Sequence, residues 1–151
     1  MLEHLNSYGR YYLLAIERSM TKSTETVEYF RPGWIGDYCT RLMKPGENGR
    51  ISNKMRSPKD HWPSKYPDAF PVLSTFLEQQ QYLLDMLELA KSKNIGAIRT
   101  PISISRFIKL KLGDTFRFFI AHEQRHFVQI NNALVTIQIV KDILPTAHPA
   151  V

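Results

Sequence analysis

The chain has 151 residues, 43% of them hydrophobic and 23% charged, with 20 Lys+Arg against 14 Asp+Glu and a net charge of +6. This is the composition of one ordinary globular domain spanning residues 1–151, not of a disordered or fibrous chain. A lone Cys39 excludes an internal disulfide framework, no apolar run reaches the roughly 20 residues a membrane helix needs, and the start Met1-Leu2-Glu3-His4 does not read as a secretory signal. Cytoplasm is the expected compartment.

Three segments carry helical period and none reads as an alternating strand. The first runs from about Leu2 to Met20, with Leu5, Tyr8, Tyr12, Ala15 and Ile16 on one face and His4 on its flank. A connection of some forty residues follows, Phe30 to Phe70. Here Arg31, Arg41, Lys44, Arg50, Lys54, Arg56, Lys59 and Lys65 stand against Asp37, Glu47 and Asp60. The positive charge thus gathers in a loop-like stretch without a nucleic-acid-binding motif, so a nucleic-acid partner is not expected. Its aromatics Phe30, Trp34, Tyr38, Trp62, Tyr66 and Phe70 argue against disorder and suggest a packed lid, with short helical turns around Gly36–Met43.

The second helix runs from about Pro71 to Ser92, with Val72, Phe76, Leu77, Leu83, Leu84, Leu87 and Ala90 on its apolar face. Pro71 suits the first turn, and Asn94 and Gly96 supply the stop. The third runs from about Gly113 to Leu144, with Phe116, Phe119, Ile120, Phe127, Ile130, Leu134 and Ile137 as its stripe and Pro145 as its end. Three amphipathic helices predict an all-α bundle.

Inside the third helix stands His122-Glu123-Gln124-Arg125-His126. Histidines four apart lie about 6 Å apart along a helix axis, so two imidazoles can close on one divalent ion. Glu123 falls near the centre of the apolar stripe, with His126 about 60° and His122 about 100° to its side. A carboxylate aimed at the core needs a partner, which a metal or an arginine would supply. Three readings compete. In the plainest, the histidines and Glu123 are solvated or simply satisfied. In a zinc peptidase, Glu123 is general base and a third ligand lies downstream. The candidates there are poor: Asp142 lies about 24 Å further along the same helix, and His148 sits in a short tail. In the third reading His4, on the first helix, completes the set and leaves an open position for water or substrate.

The residues that carry this third reading also resemble a known family, the DinB-like superfamily of metal-binding four-helix bundles. The resemblance rests on Glu3-His4-Leu5, Tyr11-Tyr12-Leu13, the connector Phe30-Arg31-Pro32-Gly33-Trp34-Ile35-Gly36-Asp37-Tyr38, Asn53-Lys54-Met55-Arg56-Ser57-Pro58-Lys59, and Leu112-Gly113-Asp114 through His122-Glu123-Gln124-Arg125-His126-Phe127-Val128-Gln129-Ile130. It implies an up-down bundle in which His4, His122 and His126 hold a divalent metal, zinc or nickel. It further implies an enzyme acting on a small-molecule substrate, either a thiol transferase using a low-molecular-weight thiol cosubstrate or a hydrolase. Glu123 and Tyr8 are then the candidate catalytic residues, Gln129 is a candidate partner behind the ligands, Arg125 either orients an anionic group or is simply solvated, and Trp34 and Trp62 are candidates for a pocket wall. The competing class is a non-catalytic interaction or stress-response module with a vestigial metal site. Family members carry a full helix ahead of the first histidine, whereas only Met1 to Glu3 precede it here. A late start or a second chain supplying that layer is therefore expected, and the apolar faces of the helices favour a homodimer.

Overall fold

The computed structural model describes residues 1–21, 25, 29–46, 48–51, 68–103 and 105–143. Among them are four helices, α1 (Leu2–Met20), α2 (Trp34–Met43), α3 (Ala69–Ala90) and α4 (Leu112–Ile143), and a hairpin of β1 (Arg99–Ile102) and β2 (Ser105–Lys111). The fold is the all-α bundle that the apolar periodicities predict. Asn53–Lys59, Trp62 and Tyr66 of the connector, and the tail with Pro145 and His148, lie outside the described residues.

Contacts between the helices give their directions. His4 meets His126 and Tyr12 meets Phe118, so α1 and α4 run antiparallel. Asp37 pairs with Arg117 and the Leu42 carbonyl accepts from Arg125, so α2 runs parallel to α4. Gln80 donates to Glu123 and Phe76 packs on Phe127, which sets α3 antiparallel to α4 and parallel to α1. Chain order is therefore up, down, up, down. The core between them holds Tyr12, Leu13, Ile16, Leu83, Met86, Leu112, Phe116 and Phe119, each buried.

Two features depart from the sequence expectations. The connector is not a lid over its described length, because residues 34–43 are the fourth helix of the bundle. Helix α2 fits against α4 because Gly36 has no side chain: a Cβ there would run into Asp114. The Asp114 carboxylate instead accepts from the Gly33 amide at 2.8 Å, capping α2 from another helix and placing negative charge at the positive end of its dipole. Trp34 and Tyr38, on the outer face of α2, are 81% and 54% exposed.

The second departure is the hairpin, where no strand was expected. Ile98, Thr100 and Ile102 alternate inward with Arg99 and Pro101 outward, and Thr100 pairs with Leu110. Ile108-Lys109-Leu110-Lys111-Leu112 carries the period-two pattern that marks it. Tyr12 ties the hairpin turn to α1, its hydroxyl lying 3.3 Å from both the Ser103 amide and the Ser103 hydroxyl.

Helix ends follow local chemistry. Helix α3 starts two residues before Pro71, because the Asp68 carboxylate accepts from the Phe70 amide, and Pro71 keeps a first-turn place where it has no bond to lose. After α3, the Asn94 side chain accepts from the Gly96 and Ala97 amides and turns the chain toward β1.

Candidate metal centre

His4 lies in the first turn of α1, and His122 and His126 lie one turn apart on α4. The antiparallel pairing of these helices brings the three together across 118 sequence positions. His4 Nε2 is 3.4 Å from His122 Nε2, and His126 Nε2 is 3.2 Å from the same atom. One ligand atom from each ring lies within 4.8 Å of the others.

Hydrogen bonding alone satisfies such a cluster poorly. A ring nitrogen is either a donor or a one-lone-pair acceptor, so His122 Nε2 cannot serve both neighbours well. A divalent ion shared by all three removes the conflict. Tetrahedral ligands at 2.0–2.1 Å from zinc stand about 3.3 Å from one another, which is the spacing found for two of the pairs. The donor set and its geometry therefore fit a divalent metal with one position left for a further ligand.

The surroundings hold the rings in place. Tyr8, one turn along α1 from His4, packs on both His4 (centroids 4.8 Å apart) and His122 (4.4 Å), and is itself buried. Phe118 stacks parallel to His122 at 6.3 Å. Gln129 hydrogen-bonds His126 from the next turn of α4. Burial pushes the His126 pKa down from 6.5 to about 4, and the neighbouring His4 adds to the effect. The pocket thus favours the neutral imidazole, which is the form that binds metal.

Glu123 points into the core, as its place on the stripe predicts, and its hydrogen-bond partner there is a neutral amide. Gln80 on α3 donates to its carboxylate at 2.8 Å. Burial raises the Glu123 pKa and the Gln80 hydrogen bond opposes this. The carboxylate is not one of the three grouped ligands.

Arg125, for which a solvated position was an open possibility, is 6% exposed. Its guanidinium reaches the Leu42 carbonyl near the end of α2, where a cation meets the negative end of a helix dipole. Trp34 stands beside Asp114, eight residues or about 12 Å along α4 from His122. There it lines a cleft of about 140 Å³ with Arg99, Lys109 and Lys111, away from the histidines. The residue that sequence reasoning missed is Gln80. Its signal was weak, a polar side chain on a helix that already carries Gln79 and Gln81.

The family model of the DinB superfamily matches residues 1–130, a span that contains all three histidines and all four helices apart from the last part of α4. No curated protein and no solved structure gives a significant match.

Proposed function

The chain belongs to the DinB superfamily, and we propose that it is a divalent-metal-dependent enzyme acting on a small molecule through His4, His122 and His126. The observation that carries the reading is the convergence of three Nε2 atoms at metal-ligand spacing. Zinc or nickel suits three imidazoles. When bound, the ion supplies a Lewis-acid position that lowers the pKa of a thiol or a water held there.

The reaction class is thiol transfer with a low-molecular-weight thiol, or hydrolysis if water takes that position. The protein's own contribution is clearer than the choice between them. Tyr8 packs on the rings of His4 and His122 and is the proton donor of this reading. Glu123, raised in pKa by burial and held by Gln80, is the proton acceptor of this reading. Among the described residues the histidine that joins His122 and His126 is His4 on α1, and this supports the reading over a zinc peptidase.

The test is elemental analysis of protein purified without chelator or affinity nickel, beside His4→Ala and His126→Ala. Near-stoichiometric zinc or nickel in the parent, lost in both variants together with turnover of thiol or ester substrates, is the expected result. A metal-free parent, or variants that keep metal and activity, sinks the proposal. Metal bound without turnover of any substrate would leave a binding module in place of an enzyme.

A further inference from the structure

The cleft beside the start of α4, where the hairpin meets α2, has a composition of its own. Gly33, Trp34, Arg99, Lys109, Lys111 and Asp114 stand around about 140 Å³. Its three cations come from one face of the hairpin. Arg99 lies opposite Lys111 across the strands, and Lys109 lies opposite Pro101. Residues two apart share a face, and Thr100 and Leu110 between them are buried on the other. Like charges directly opposite one another cost stability in a sheet. Among the described residues no carboxylate forms an ion pair with any of the three. Asp114 is 1% exposed and already accepts from the Gly33 amide and from Arg117.

Two of these cations are held ready by neutral groups. Arg99 Nη1 donates to the Gly96 carbonyl at 2.8 Å and to the Ala97 carbonyl at 3.2 Å. That leaves the Nε–Nη2 edge of the guanidinium, which takes a phosphate or carboxylate side-on. The Lys111 stem lies against Gly33, and its Nζ donates to the Arg31 carbonyl at 2.8 Å, with two N–H groups to spare. Bonds to carbonyls fix a side chain without cancelling its charge, so an anion arriving here has less ordering to offset. Beside them Trp34 is 81% exposed, a flat apolar face next to fixed positive charge. An indole so placed is a stacking platform for a planar ring.

We propose that this cleft binds a nucleoside monophosphate, with the phosphate on Arg99, Lys109 and Lys111 and the base stacked on Trp34. At about 140 Å³ it is smaller than the roughly 300 Å³ or more of pockets that bury a whole ligand. The phosphate therefore enters the cleft and the ring stays at its rim, over the indole. Asp114 is eight residues from His122, about 12 Å along α4, so this site is separate from the three histidines.

The experiment is isothermal titration calorimetry of the full chain with adenosine 5′-monophosphate, beside adenosine and inorganic phosphate as its two halves. A dissociation constant on the order of 0.1–1 mM is expected for the nucleotide, with each half at least about tenfold weaker. Arg99→Ala and Lys109→Ala should each weaken it about tenfold or more, the size of one charge-assisted hydrogen bond. Trp34→Leu should weaken the nucleotide and leave inorganic phosphate unchanged. Lys91→Met, which removes an exposed cation at the end of α3, is the control for net charge and should bind as the parent does. His126→Ala should also bind as the parent does. Loss of binding there would place the phosphate at the histidines and overturn the proposal, whatever the fate of the metal-dependent activity. No heat at about 5 mM nucleotide overturns it too, as do arginine and lysine variants that bind unchanged. Inorganic phosphate bound as tightly as the nucleotide refutes the stacked base. A single-stranded oligonucleotide bound far more tightly, with affinity falling steeply with salt, refutes a small ligand and assigns the cleft to a nucleic-acid strand.

Discussion

His4 Nε2 and His122 Nε2 lie 3.4 Å apart, with His126 Nε2 3.2 Å from the latter, so α1 and α4 meet through lone pairs that repel unless a cation or a proton is shared. Removing His122, the atom common to both short contacts, should therefore abolish metal binding more completely than removing either neighbour. His122→Ala is expected to retain no zinc or nickel after dialysis and to lose the metal-dependent rise in melting temperature. Retention of that rise would show that the ion binds elsewhere.

The metal-free protein should lose stability in acid in a window set by His126. Its pKa falls from 6.5 in the unfolded chain to about 4 in the fold. Between those values the unfolded state binds the extra proton, so stability rises with pH and is lost as pH falls from about 6.5 toward 4. Below about pH 4 both states are protonated and this contribution stops changing. Urea midpoints of metal-free protein measured from pH 7.5 to 3.5 should follow that course, and His126→Phe should flatten it. An unchanged slope in the variant would place the titrating group elsewhere.

Glu123 behaves with the opposite sign. Its pKa is raised by burial, so the ionised form is disfavoured in the fold, and stability is lost as pH rises through the raised value. Glu123→Gln keeps an oxygen for Gln80 to donate to and removes the buried charge. At pH 7.5 the variant should melt about 2–4 °C higher, the shift expected for about 1 kcal/mol in a domain of this size. The gain should vanish below about pH 4.5. The same variant should lose activity if the carboxylate accepts a proton in turnover, so higher stability with lower rate is the expected pair of results. A melting temperature that falls at pH 7.5 would mean that the charge is compensated.

Much of this was legible in the sequence, for reasons that differ along the chain. Helix α1 is found at the residues its periodicity gives, since Leu5, Tyr8, Tyr12 and Ile16 repeat at helical spacing with no competing signal. The histidine site was legible because His122 and His126 share a turn, and His4 because it flanks a stripe that faces them. Helix α2 was hard to see because what seats it is tertiary: Gly36 accommodates Asp114, a residue 78 positions away, and its outer face carries Trp34, Ile35 and Tyr38. The hairpin was obscured by Pro101 and by the register shift between Pro101 and Ile102, although Ile108 to Leu112 alternates plainly. Arg125 looked solvated because the angle opposite the histidines points at α2, and α2 itself was not expected there as a packed layer.

That seating of α2 is sensitive to one methyl group. Gly36→Ala should collide with the Asp114 side chain, which is 1% exposed and already bonded to the Gly33 amide and Arg117. Overpacking of this kind costs about 1–3 kcal/mol, so melting should fall by about 2–12 °C. In a double-mutant cycle Asp114→Ala should recover part of the loss, because the colliding atoms beyond Cβ are gone. Strict additivity of the two substitutions would mean that α2 does not pack here as described.

Tyr12 makes the last prediction, since it is the link between the bundle and the hairpin. Its ring is 1% exposed, and its hydroxyl is bonded at Ser103, with burial raising its pKa. Tyr12→Phe preserves the packing against Phe118 and Phe119 and deletes only the hydroxyl. Leaving the Ser103 amide without its acceptor should cost about 1–2 kcal/mol. The loss should be local before it is global, because β1 and β2 form an isolated two-stranded sheet that depends on packing for its stability. Amide exchange should accelerate at Ser103 and along Arg99–Ile102, while the amides of Tyr8 and Phe119 stay protected. Equal acceleration in the hairpin and the helices would mean that the two unfold as one unit and that Tyr12 is not the tie between them.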